Sequence, residues 1–483
     1  MSKLSPMNQA GATRSIADLP GPAGLPLLGN AHRVRADCLH SVSEEWCERY
    51  GPMFRFDLGP RRIVAIGDQE VINTILRERP EGYRRWRELK AILAGLGNDG
   101  VFSAEGEDWK RQRRLAVTAL NSNHLHRYFH IIHTATERLY RRLKEAARDG
   151  RALDIADELT SFSVDVTSAL AFGHDLNTLE RRDNELQGHI KTLFEAAGRR
   201  VVAPFAYWRW VKLPADRAAE RSITAIHAAV EGFIAQARKR MLERPELREA
   251  PENVLESMLA AQETEGTFTD EEIIWNTLTF LSAGEDTTAH TIAWTLWFLS
   301  GRPKIQARWA REAQAVLGEQ PYPAGHEIVE SFEYGEAVLR ESMRLKAVAP
   351  ILGVEPIADT TIAGTRIPAG TRLLLLTRRA GLHSSGAEYE PERWLDDSEL
   401  ATPDQKSFLA FGAGPRFCPG RNLAFLESKT AMAMIARNFE VELDDSRGPV
   451  KEQLSFTMVP HGLHLRLRER VAEQPILAAA TSS

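Results

Sequence analysis

Three cysteines in 483 residues are too few for a disulfide framework, so an ordinary apolar core must hold this chain together. Cys38 and Cys47 fall on one expected helix, where free thiols are the simpler reading, and that usage fits a reducing compartment. An excess of positive charge is missing too. Lys and Arg number 61 against 66 Asp and Glu, a net charge of −5, which gives no reason to expect nucleic acid. No apolar run is long and clean enough to span a bilayer. The best candidate, 277–300, carries Glu285 and Asp286 near its middle, each costing ~2.5–3.5 kcal/mol on insertion scales. Residues 1–18 are polar and small, lack the apolar core of a signal peptide, and read as a disordered tail. A second flexible tail is expected over 471–483. Internal repeats and linkers are absent. What is left is one large domain whose 43% apolar content can enclose a cofactor-sized cavity.

A Pro- and Gly-rich stretch, Leu19–Gly29, opens the domain. A helix is predicted over Asp37–Tyr50, followed by strands at Met53–Leu58 and Arg62–Ile66. Helical periodicity dominates from Gln69 to Leu345, broken at glycines and prolines. Strand patterns return at Thr361–Thr377, Phe439–Leu443 and Leu454–Leu467. The fold class is therefore mainly α with small β-sheets, a single domain over 19–470.

The densest chemical signal is Phe411-Gly412-Ala413-Gly414-Pro415-Arg416-Phe417-Cys418-Pro419-Gly420. Its glycines permit backbone angles closed to other residues and the close approach of a flat ligand. Pro419 suits the first turn of a following helix, whose free N–H groups would lower the pKa of Cys418. A lone cysteine is most often an inert core residue. A thiolate at a helix start, though, is also the axial ligand of a haem that favours O–O cleavage.

This loop resembles the cysteine-ligand signature of the cytochrome P-450 superfamily, Phe-x-x-Gly-x-Arg-x-Cys-x-Gly, at every fixed position. The resemblance implies haem b with Cys418 as the iron ligand and Phe411 packed beside the sulfur. Gly412 and Gly420 shape the loop, and Arg416 pairs with a haem propionate. Four further motifs support it. Ala283-Gly284-Glu285-Asp286-Thr287-Thr288 is similar to the oxygen-activation motif, which makes Asp286 and Thr287 the acid–alcohol pair that delivers protons; Gly284 and the Thr hydroxyls suggest a local kink. Glu341-Ser342-Met343-Arg344 and Pro391-Glu392-Arg393-Trp394 imply a structural Glu341–Arg344–Arg393 network behind the haem. Trp109-Lys110-Arg111-Gln112-Arg113 places Trp109 and Arg113 on one helix face toward a propionate. After Pro350 the arginine that many relatives use for a propionate is missing.

By the same resemblance Val101, Phe102, Phe205, Phe280, Ala283, Val348, Ile351, Leu352, Met458 and Val459, with Leu96, face a hydrophobic small-molecule substrate, although each is equally readable as core packing. The implied activity is a dioxygen-dependent monooxygenase that hydroxylates or epoxidises its substrate. Electrons would come ultimately from NAD(P)H through a separate ferredoxin or flavin-containing reductase, docked on a basic patch of Lys110, Arg111, Arg114 and Arg421. Alternatives are a peroxygenase or isomerase of the same fold, or a non-enzymatic haem sensor or carrier. Microsomal relatives carry a membrane anchor before such a Pro-rich stretch; here a soluble, cytoplasmic protein is expected.

Overall fold

Amphipathic helices need partners for their apolar faces, and here they find them mostly in one another. In the computed structural model the described residues are 14–97, 99–181, 185–203, 206–266, 268–395 and 408–470. The first half holds α1 (Leu39–Tyr50), α2 (Gln69–Arg77), α3 (Arg87–Ala94), α4 (Gly106–Ala119), α5 (Ser122–Asp149), α6 (Ile155–Phe172), α7 (Glu185–Val202) and α8 (Pro214–Glu243). The second half holds α9 (Val254–Glu265), α10 (Asp270–Ser300), α11 (Pro303–Leu317), α12 (His326–Glu330), α13 (Glu333–Leu345), α14 (Thr377–Ser385) and α15 (Arg421–Asn438).

The strands are short: β1 (Met53–Leu58), β2 (Arg61–Ile66), β3 (Tyr83–Arg85), β4 (Leu153–Asp154), β5 (Leu352–Pro356) and β6 (Thr360–Ile362). They continue as β7 (Thr365–Ile367), β8 (Arg372–Leu375), β9 (Phe439–Leu443), β10 (Lys451–Leu454), β11 (Met458–His461) and β12 (His464–Glu469). One five-stranded sheet runs β1-β2-β8-β5-β3, and β4-β12-β9, β10-β11 and β6-β7 form the smaller ones. Its inward residues Val64, Ile66, Leu373 and Leu375 pack with Ile72 and Ile75 of α2.

Helix α10 is the axis of the helical part. A capping box starts it: Thr269 Oγ1 accepts from the Glu272 N–H at 3.1 Å, and Glu272 Oε2 accepts from the Thr269 N–H at 3.0 Å. From there it packs against α6, α9, α13 and α15 and is buried along most of its length. No helix among the described residues is long and apolar enough to cross a membrane.

Three expectations change. Residues 14–18 are ordered, because Arg14 bridges Thr365 and Asp18 folds back on Ser15, so the expected tail of 1–18 is too long. Strands β3, β4 and β5 were not foreseen. Gly284, expected only to loosen the helix, lies where a Cβ would meet Thr167 Cγ2 of α6 at 2.4 Å. That glycine serves the close approach of two helices.

Candidate active site

The cysteine loop is held from both sides. Gly412 and Gly414 have φ of 73° and 69°, which only glycine adopts without strain. A Cβ on Gly414 would also meet Leu76 O of α2 at 2.5 Å, so the loop lies directly against the end of that helix. The Cys418 N–H donates to Phe411 O at 2.9 Å and closes the turn. The Phe411 ring packs between Phe425 and Phe417, with centroids 5.5 and 6.4 Å away. Helix α15 begins at Arg421 with Gly420 as its N-cap, so Pro419 precedes the cap instead of occupying the first turn.

Burial pushes the Cys418 thiol up, and the N–H groups of Gly420 and Arg421, with the Arg113 guanidinium, offset this only in part. The lowered pKa expected from the helix start alone is therefore reversed. A thiolate here calls for a further cation directly on the sulfur, which iron would be.

Beside the loop lies an unusual concentration of buried positive charge. Arg416 pairs with Glu105, donates to Ala104 O at 2.9 Å and stacks over the Trp109 ring at 4.5 Å. Arg113 of α4 donates to Phe417 O at 2.5 Å. Arg85 donates to Phe102 O at 2.7 Å and lies 3.7 Å from the centre of that ring. Arg79, 2% exposed, joins them. Burial pulls all four guanidinium groups down, Arg416 to about 10, and Glu105 is the acid that counters Arg79, Arg85 and Arg416. Nε and Nη2 of Arg79, and Nε and Nη1 of Arg416, are buried with no hydrogen-bond partner among the described residues. Buried guanidinium atoms left so are costly, and a group bearing two carboxylates, as haem b does, fits them. Arg79 and Arg85 escaped the sequence reading.

On α10, Ala283 is exposed and Gly284, Asp286 and Thr287 are half-buried. Thr287 Oγ1 donates to Ala283 O at 2.6 Å. Burial raises the Asp286 carboxyl, and His290 counters it in part. Its neighbour Glu285 is more deeply buried and pushed up to about 8, first by burial and then by Asp286.

Behind the loop, Glu341 is fully enclosed. Its carboxylate accepts from Arg344 at 2.7 and 2.9 Å, from Arg393 Nε at 3.1 Å, from Trp394 Nε1 at 2.9 Å and from the Glu390 N–H at 3.0 Å. Trp394 was not anticipated as a donor. Arg344 also reaches Gly386 O at 2.6 Å and Glu388 O at 3.0 Å.

The expected substrate contacts divide. Val101 and Phe280 pack with Trp109, and Phe102 faces Phe456 at 6.0 Å, a neighbour the sequence reading missed. Val348 and Val459 are half-buried. Leu96 is enclosed with Ile92, Ala196 and Ala219, and Ile351 and Leu352 pack against the sheet clusters. Met458 is fully buried, its sulfur 3.1 Å from Arg378 Nη1, so it belongs to the core. Phe205 lies outside the described residues. The basic patch is weaker than expected: Lys110 pairs with Glu107, Arg111 with Asp108 and Glu272, and Arg421 lies over Phe417 and Phe425. Arg114 is exposed.

Comparison with known proteins gives the family. The family model for Cytochrome P450 matches residues 19–467. The chain is 27% identical over 477 residues to the protein LUTEIN DEFICIENT 5, chloroplastic, of Arabidopsis thaliana, covering 94% of this chain and 79% of that one. Cytochrome P450 4d1 of Drosophila melanogaster is 24% identical over 94% of both chains. Cytochrome P450 4V2 of Homo sapiens is 24% identical over 93% of this chain and 89% of its own.

Proposed function

Because this chain belongs to the cytochrome P450 family and is a haem-dependent monooxygenase, we propose that Cys418 is its iron ligand and that its substrate is a hydrophobic small molecule. The observation that carries the site assignment is the pairing of the cysteine loop with four enclosed arginines, of which Arg79 and Arg416 keep buried guanidinium nitrogens without a partner among the described residues.

Bound haem supplies the activation of dioxygen and the transfer of one oxygen atom to substrate. The chain supplies the rest. Cys418 would ligate the iron, and Arg79, Arg85, Arg113 and Arg416, with the Trp109 indole, would hold the carboxylates through charge-assisted bonds. Burial raises the Asp286 carboxyl above its ordinary value and so favours the protonated, acidic form. Thr287 donates its own hydroxyl proton to Ala283 O and keeps lone pairs to accept one from a donor. Val101, Phe102, Phe280, Phe456 and Val459 exclude water and favour apolar ligands. Glu341, Arg344 and Arg393 are structural.

An acid–alcohol pair is of no use to a sensor or carrier, and monooxygenase chemistry requires it. Electrons come from NAD(P)H through a ferredoxin or flavin-containing reductase, with the exposed Arg114 and Lys110 as docking cations. A cytoplasmic location is part of this reading, supported by Cys38 and Cys47 remaining free thiols.

The test is spectroscopic. Reduced wild-type protein under carbon monoxide should show the red-shifted Soret band of a thiolate ligand, and Cys418→His should replace it with an imidazole-type spectrum. An imidazole-type spectrum from freshly reduced wild type would defeat the assignment.

A further inference from the structure

His290 lies one turn beyond Asp286 on α10, so the two side chains share a face. It is 5% exposed, and its Nδ1 stands 2.9 Å from Thr457 Oγ1. Thr457 is buried in the turn joining β10 to β11. One turn further on, Trp294 Nε1 donates to Met458 O at 2.9 Å. Helix α10 thus grips one hairpin at two successive turns, and the residue before Thr457 is Phe456, the aromatic that faces Phe102. The charged groups that bear on the imidazole are Asp286 on its own helix and Asp154 of β4; both favour its protonated form, and burial opposes them.

We propose that His290, oriented by Thr457, is the positioning residue that returns a proton to Asp286 after each delivery. His290 and Asp286 share no direct hydrogen bond, so in that step a bridging water passes the proton: an N–H bond of the imidazolium breaks, an O–H bond forms on the Asp286 carboxylate, and the imidazole regains its proton from solvent. The Thr457 hydroxyl suits both states, accepting from a protonated Nδ1 and donating to a bare one. Burial raises Asp286 and lowers His290, and both directions favour passing a proton from the imidazolium to the carboxylate. The same hydrogen bond couples the acid to the hairpin beside the substrate. This inference rests on the reading of Asp286 as the relay acid.

The test uses haem-loaded enzyme. The carboxyl stretch of Asp286, assigned by its loss in Asp286→Asn, is followed by infrared difference spectroscopy across pH. His290→Gln can still bond Thr457 but cannot ionise. It should raise the Asp286 midpoint by about one pH unit and flatten the pH dependence of electron-to-product coupling. Thr457→Val should give part of that shift and Thr457→Ser none. A His290→Gln protein that loses stability or rate while keeping the wild-type carboxyl midpoint and pH profile would overturn the proposal. Should His290→Gln not retain haem, equal midpoints in the two Thr457 variants would overturn it instead. Asp286→Asn that couples electrons to product as well as wild type would remove the relay reading itself, a distinct failure.

Discussion

A carboxyl group sealed among helices has one comfortable state, the neutral one. Glu427 of α15 is 1% exposed, accepts a 2.6 Å hydrogen bond from Ser163 Oγ of α6, and is pushed by burial up to about 8. Its folded pKa lies above the unfolded one, so between about 4.5 and about 8 the native protein keeps a proton that the unfolded chain releases. Stability should therefore fall with rising pH across that window, by at most about 1.4 kcal/mol per pH unit from this group. Glu427→Gln keeps an acceptor for Ser163 and removes the ionisation. Its melting temperature should match wild type near about pH 5 and exceed it near about pH 9. Parallel melting curves for the two proteins across this range would show that Glu427 ionises in the native state without cost.

Elements show the same logic at longer range. Thr167 is fixed in its rotamer by donating to Ser163 O at 2.7 Å, and that places its methyl where a side chain on Gly284 would have to go. Gly284→Ala gains helix propensity but overpacks the α6–α10 contact, with a typical cost of ~1–3 kcal/mol. Adding Thr167→Ser removes the methyl and keeps the hydroxyl, so the double variant should recover most of the loss in a thermal-unfolding cycle. Additive losses would mean that the methyl is not the obstacle. From sequence alone Gly284 read as a weak point in a helix, because its partner is more than a hundred residues away. What was legible were groups that chemistry forces into fixed local spacing: the Cys418 loop and Glu341 with Arg344. Arg79 and Arg85 were not, since only the folding of β3 against β5 brings them beside Arg416. Strands of two or three residues, such as β3 and β4, carry no alternation to read, and their pairing is decided by the tertiary fold. The same is true of His290 and Thr457, which no short motif links.

Across the whole molecule, the two ends of the chain meet at one carboxylate. Glu452 of β10 accepts from His40 Nε2 at 2.9 Å, pairs with Lys346 just past α13, and lies 2.9 Å from Arg378 of α14. Arg378 is also held by Glu44 of α1, with Nε 2.9 Å from Oε1, and is itself buried. Burial alone would raise Glu452, but His40, Arg378 and Lys346 together hold it well below the usual carboxylate range. The folded pKa is thus depressed, so the stabilisation is fully present above the unfolded pKa and is lost as pH falls through the folded one. Glu452→Gln leaves Arg378 and Lys346 short of a counter-charge. Breaking a buried pair costs about 3–5 kcal/mol, and since Glu44 still serves Arg378, about 2 kcal/mol is expected here. Because β10 leads into the hairpin that carries Phe456 and Thr457, the variant should also weaken the substrate-induced spin shift. Thermal unfolding followed by far-ultraviolet circular dichroism should show the full gap from wild type near about pH 7 and a shrinking gap below about pH 4.5. A gap that stays constant with pH would mean that Glu452 contributes shape and hydrogen bonding to this junction rather than charge.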